Sequence, residues 1–269
     1  MADLDDLTSV YSAQVQAVRT QITKFGEAYW DSMPNYRESA VEEMIAALVP
    51  RVTAGQLRIA DLTRAYLARC AHELGWKLVI TPLDKADILG ARGVDPRTVY
   101  RRPAVDVYKA LSDGKPVEQA VSEGRLRLTQ LIGGDAQLAK VRASRQVMRV
   151  YPDAGSYYRR VLTGRENCGL CVVASTQRYY KDDLLPIHPG CDCDVQPLPP
   201  EAAGQQVIDE DRLEQVHKIA AERLGEAGRG GRTPDYRKLI RVEAHGEYGA
   251  TLTWAEPKSP KQSGTADKA

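Results

Sequence analysis

Four of the chain's five cysteines, Cys168, Cys171, Cys191 and Cys193, fall in one short run together with His188, NCGLCVVASTQRYYKDDLLPIHPGCDCDV. No other feature limits the fold so sharply, because any arrangement that uses them must bring the two ends of the run together. Cys168 and Cys171 form a C-x-x-C turn around Gly169, and His188, Cys191 and Cys193 offer a second pair of donors beyond a polar gap. Structural zinc takes four thiolate or imidazole ligands in this two-plus-two spacing. The expectation is therefore a Cys/His knuckle holding structural zinc. Five donors compete for four positions, and an extended Cys191-x-Cys193 would point its two thiols apart, so one of that pair is expected to be surplus. Two other readings stay open. A redox C-x-x-C needs a helix opening after a strand in a βαβ unit, which the flanking sequence does not suggest. A metal-free loop is the third. Catalytic zinc is disfavoured because thiolates fill the coordination sphere and leave no open position. Asp182, Asp183, Asp192 and Asp194 read as exposed loop carboxylates.

With one cluster and one isolated cysteine, Cys70, the pattern is not the dispersed, even framework of a disulfide-rich secreted domain, and a reducing compartment is expected. The start, MADLDDLTSVYS, lacks a basic segment leading into an apolar stretch, so no Sec-type export is expected, and no apolar run approaches a membrane span. A formal net charge of +1 over 269 residues gives no global attraction to nucleic acid or membrane, so such a partner has to be met by a local patch. With 13 Tyr against a single Phe, the aromatics are expected at half-wet contacts.

Ahead of the cysteine run the chain reads as helical. Leu7, Tyr11, Val15, Val18, Ile22, Phe25 and Tyr29 recur at three and four residues along one stripe, ended by Pro34. A second pattern covers Glu38–Val49 and a third Gly55–Leu74, in which Cys70 reads as a buried small apolar residue. Trp76–Thr81 (WKLVIT) reads as a strand, and GARGVDPRTVYRRP as a connecting loop. Further helices are expected over Val105–Leu111, over Val117–Leu131 behind Pro116, and over Ala136–Val150 after a break at Gly133-Gly134. Beyond the cysteines, QPLPPEAAGQQ reads as loop, Asp209–Gly225 as an amphipathic helix carrying an ordinary His217, and LIRVEAHGEYGATLTWAE as a β-hairpin bending at His245. The polar tail from Pro257 is expected to be disordered. The fold class is thus α+β and predominantly helical: a helical N-terminal domain (1–132), a Cys/His module (133–200), a C-terminal helix with a β-hairpin (201–256) and a tail (257–269).

From Lys140 to Tyr180 eight Lys and Arg face only Asp153 and Glu166. Arg142, Arg145 and Arg149 share one helical face, and with Arg159 and Arg160 they are the candidate contacts for phosphates or an acidic partner. The competing reading is a solvated basic face.

The order Cys168-x-x-Cys171, Tyr179-Tyr180, then Pro186-Ile187-His188-Pro189-Gly190-Cys191-Asp192-Cys193 resembles the signature of MuF-like phage minor head proteins, the head morphogenesis family. Asp192 departs from it, standing where that family usually has Arg. The resemblance covers about Leu131 to Pro197. It implies a low-copy virion protein at the portal vertex inside the capsid that helps head assembly and DNA packaging or ejection. Portal protein would be its partner, with major capsid or scaffolding protein and phage DNA as further ones, and no membrane during assembly. A second expectation, a capsid maturation protease, lacks a G-x-S-x-G elbow, and Ser144, Ser156 and Ser175 with His188 or His217 form no recognisable triad. A zinc-stabilised nucleic-acid-binding protein is the third.

Overall fold

The computed structural model describes residues 4–79, 81–163, 167–186, 191, 193–204, 208–209, 212, 218, 240–246 and 249–254. The protein is mostly helical with a few short antiparallel strands, as the α+β reading expects. Four long helices form a bundle: α1 (Leu4–Ser32), α2 (Glu38–Glu73), α4 (Pro96–Ser112) and α5 (Val117–Met148), with α3 (Lys85–Leu89) as a short turn between α2 and α4. α1 opens with Asp5 and Asp6 in its first turn, where carboxylates favour the helix dipole, and buries Tyr11, Val15 and Ile22 of the expected stripe; toward its end Trp30 is buried instead of Phe25 and Tyr29, which are half-buried.

Two expected breaks are absent. The second and third helical patterns are one helix, α2, which runs through Pro50. Pro50 is exposed, so the carbonyl it leaves without a donor faces water. Likewise, Gly133-Gly134 does not divide α5; both glycines are buried within it. The Arg19 guanidinium lies 2.9 Å from where a Cβ on Gly133 would sit, so α1 approaches α5 closely there. Nor is GARGVDPRTVYRRP all loop: Asp95 accepts a hydrogen bond from the Arg97 amide at 2.7 Å and caps α4, with Pro96 at its first position. Trp76–Val79 is not a strand, and Ile80 lies outside the described residues.

The bundle buries two apolar clusters. One joins Trp30, Met44, Ile45, Leu48, Tyr100, Val107, Leu128 and Ile132 at one end. The other joins Tyr11, Ile59, Tyr66, Leu67, Cys70, Ala139 and Val147 and also takes in Tyr158, Leu184 and Val195 from the segment after α5. Tyr29, Tyr36, Tyr157 and Tyr179 are half-buried, as the half-wet expectation has it, whereas Tyr11, Tyr66, Tyr100, Tyr151 and Tyr158 depart from it and are buried. Tyr11 and Tyr66 stack at 4.3 Å in the interior, and their hydroxyls bond Thr63 and Thr8, each at 2.7 Å. Tyr151 donates to the Leu67 carbonyl at 2.7 Å and Tyr100 to Asp135 at 2.6 Å. Burial of these four is tolerated because each phenol is hydrogen-bonded, whereas the buried Tyr158 hydroxyl meets no partner among the described residues.

After α5 come β1 (Tyr157–Val161), α6 (Gly169–Ser175), β2 (Arg178–Tyr180) and β3 (Asp194–Pro197), with the sheet ordered β2-β1-β3 and all pairs antiparallel. β3 takes the first two residues of the expected QPLPPEAAGQQ loop. The hairpin of β4 (Ile240–His245) and β5 (Gly249–Trp254) forms as expected, with His245 opposite Gly249 at the bend. Leu252 and Trp254 pack against Leu170, Cys171, Cys191 and Cys193. The expected helix over 209–225 with His217, and the tail, lie outside the described residues apart from Asp209, Arg212 and Lys218.

α5 crosses the boundary expected at residue 132 without interruption, and the sheet shares its core with the bundle.

Candidate functional site

The four clustered cysteines meet where α6 and β3 begin. Cys168 is the cap of α6, its sulfur accepting a hydrogen bond from the Cys171 amide at 3.4 Å, and one turn of helix brings Cys171 to its side. Cys193 immediately precedes β3, whose pairing with β1 sets Asp194 opposite Val161. The sulfurs form a connected chain: Cys168 to Cys171 3.4 Å, Cys171 to Cys191 3.4 Å and Cys191 to Cys193 3.1 Å. These separations exceed a disulfide bond of about 2.05 Å, and all four cysteines are free thiols. Cys171, Cys191 and Cys193 are buried and Cys168 is exposed.

Cys191 and Cys193 both turn into the cluster, against the expectation that one would point away. β3 begins only at Asp194, beyond both cysteines. His188 and Asp192 lie outside the described residues. The C-x-x-C pair does open a helix after a strand, which the sequence did not suggest, although the sheet is antiparallel rather than βαβ.

Two buried cations close the site from behind. Arg160 of β1 places Nη1 3.6 Å from the Cys193 sulfur, donates through Nη2 to the Leu185 carbonyl at 2.5 Å, and lies over the Tyr179 ring. Lys140 of α5 donates to the Cys193 carbonyl at 2.7 Å and to Asp194 Oδ1 at 2.6 Å. Ser12 of α1 donates to the other Asp194 oxygen. Hydrogen bonds from Cys171 and Cys191, with the charges of Arg160 and Lys140 behind them, hold the Cys193 thiol well below its usual range despite its burial. The Cys171 thiol is pushed up, first by its hydrogen bond to Cys168. For Cys191 the lowering effect of Cys171 is outweighed by Cys193 and by burial, and its thiol rises to about 12. Burial would lower Lys140, but the Asp194 carboxylate beside it raises it.

The basic residues do not form one surface. Arg160 is 3% exposed, so the expectation that it meets phosphates or a partner is corrected: it is consumed by the interior contacts around Cys193. Arg159 pairs with Asp5 and donates to Gln196 Oε1 at 2.5 Å. Arg142 pairs with Asp87 at 3.0 Å, Arg145 is half-buried and Arg149 is exposed at the end of α5. Asp194 is likewise corrected, being 1% exposed rather than a loop carboxylate, whereas Asp182 and Asp183 are exposed as expected. Sequence reasoning missed Lys140, Asp194 and Ser12 as site residues. A signal was present in Asp194, adjacent to the last cysteine, but its partners stand on α1 and α5 and no local spacing announces them.

Of the expected serines, Ser144 and Ser175 are buried, Ser175 donating to the Val172 carbonyl at 2.8 Å, and Ser156 donates to the Asp153 carbonyl at 2.7 Å. A groove of about 1320 Å³ runs between α1 and α5 down to the thiols, lined among others by Ser12, Arg19, Gln137, Lys140, Cys168 and Cys171. Among the described residues no group of three or more His, Cys, Asp or Glu side chains is placed so that it could hold a metal ion as it stands. Bonds of about 2.3 Å from zinc to sulfur require tetrahedral sulfur edges of about 3.8 Å, so the observed contacts are a few tenths of an ångström too tight. The donor set fits the metal in chemistry, whereas these three contacts would have to lengthen before an ion could sit among the sulfurs.

Among known proteins, no family model, no curated protein and no solved structure matches this chain.

Proposed function

We propose that the protein is a structural minor head protein of a tailed phage that sits at the portal vertex inside the capsid and assists head assembly and DNA packaging or ejection. The observation that supports this reading is the convergence of the C-x-x-C and C-x-C halves of the signature on one point, in a small module whose core is continuous with a long-helix bundle. In this reading the cysteines form the knuckle of that module. The bundle supplies the surface for portal protein, with Arg142, Arg145 and Arg149 as the basic contacts toward portal or DNA and Arg160 excluded from that role. Scaffolding or major capsid protein would be a further neighbour during assembly in the host cytoplasm.

Quantitative mass spectrometry of purified mature particles and of empty precursor heads, scaled to the portal protein, tests the assignment. A fixed, low ratio to portal in both is the expected result. Abundance in precursors followed by loss or cleavage in mature particles would overturn it in favour of a maturation protease or an assembly-only factor.

A further inference from the structure

We propose that Cys168, Cys171, Cys191 and Cys193 together bind one zinc ion as an all-thiolate structural centre, and that buried Arg160 is the positioning cation behind it. The inference stands on the geometry of the thiols and is independent of any role in a phage head.

Four thiols in successive contact at 3.1 to 3.4 Å are an unfavourable end state for a reduced interior, because each is a weak hydrogen-bonding group and their deprotonated forms repel. An ion at their centre removes both problems. It spreads the sulfurs to about 3.8 Å and converts four competing thiols into four ligands. The set is already complete with cysteines, so a fifth donor has no position to fill. Binding releases up to four thiol protons to solvent, and no electron transfer is involved.

A zinc ion with four thiolates carries two surplus negative charges, which a buried site must answer with cations or donors. Arg160 answers directly, with Nη1 on the Cys193 sulfur. Lys140 holds the Cys193 carbonyl while sharing its charge with Asp194, and so fixes the chain at the last ligand. The exposed Cys168, on the wall of the groove, gives the ion its way in. The centre would lock the start of α6 to the start of β3, two points that no strand pairing joins directly.

The test is metal analysis of the full chain purified under reducing conditions, followed by titration with zinc and with cobalt(II), whose thiolate charge-transfer absorption reports sulfur ligation. One zinc per chain is expected, with four thiols protected from alkylation while it is bound. Cys168→Ser keeps a hydroxyl that can cap α6, so it should fold; it should nevertheless lose zinc affinity by at least tenfold. His188→Ala should keep full stoichiometry. Arg160→Met should keep the ligands but weaken binding by about 10- to 100-fold, as loss of an outer partner typically does. The proposal fails if the reduced chain takes up no zinc at micromolar concentration, if Cys168→Ser binds as well as the parent, or if His188→Ala abolishes the cobalt absorption. If Arg160→Met leaves the affinity unchanged, the role given to the arginine fails.

Discussion

The helix bundle and the small sheet module are held together by opposite means. In the bundle, α1, α2, α4 and α5 bury Trp30, Met44, Ile45, Leu48, Leu128 and Ile132, and buried polar groups such as Asp135, met by Arg92 and Tyr100, are set among a mainly apolar core. In the module the interior is itself polar: Arg160, Lys140, Asp194, Gln196 and the thiols of Cys171, Cys191 and Cys193 are packed beneath β1 and β3. Apolar burial is non-directional, so the bundle tolerates adjustment of individual side chains. The module depends on specific pairings, each of which is expensive to leave half made.

The sharpest way to break this contrast is Lys140→Met, which leaves the Asp194 carboxylate buried with Ser12 as its remaining side-chain partner. A loss of about 3–5 kcal/mol is expected in urea unfolding, and the double variant Lys140→Met, Asp194→Leu should recover much of it. A loss below about 1 kcal/mol, the range of surface pairs, would place the module under the same rules as the bundle.

Next in size is Gly124→Ala in α5. The added methyl carbon would stand 2.6 Å from a Val107 methyl, 2.7 Å from the Trp30 ring and 3.0 Å from the Pro103 carbonyl oxygen. Overpacking of this kind costs about 1–3 kcal/mol, outweighing the higher helix propensity of alanine. A stabilised variant would show that α4 can retreat from α5 without loss.

The smallest effect is a slope with pH. Burial raises the Cys70 thiol from its ordinary 9.0 to about 12, and pushes Tyr11, Tyr66 and Tyr151 well up. Below pH 9 these groups are protonated in folded and unfolded chains alike, and their contribution to stability is fully present. Above it the unfolded chain releases protons that the folded one retains, so stability falls as pH rises, by at most about 1.4 kcal/mol per pH unit for Cys70. Urea midpoints at pH 8, 9 and 10 measure it, and a flat profile would mean that these groups ionise freely in the folded protein.

The same division explains what could be read from the sequence. α1 and the interior of α5 were legible because apolar spacing is local, as was the hairpin at His245. Pro50 and Gly133-Gly134 misled because local breakers carry a weak preference that packing along a long helix overrides. At the site, the cysteines announced themselves by spacing. Arg160 looked like any surface arginine, and nothing near Lys140 or Asp194 in the chain indicated that they meet. Those contacts span 33 residues for Arg160 to Cys193 and 54 for Lys140 to Asp194, beyond the reach of any periodicity.

The first three turns of α1 have a further consequence. Asp5, Thr8 and Ser12 are met by Arg159, Gln196 and Asp194, all synthesised more than a hundred and fifty residues later. A nascent chain emerging from the ribosome therefore presents α1 long before these later partners exist; Thr8 and Ser12 can bond carbonyls within α1, and α2 can cover Tyr11, but the contacts to Arg159, Asp194 and Gln196 must wait until β3 is out. Closing such distant contacts is slow because the loop entropy is lost before the contacts form. The first helix made is the last to be finished, and the chain is most exposed to misassembly in the interval before residue 197 is released.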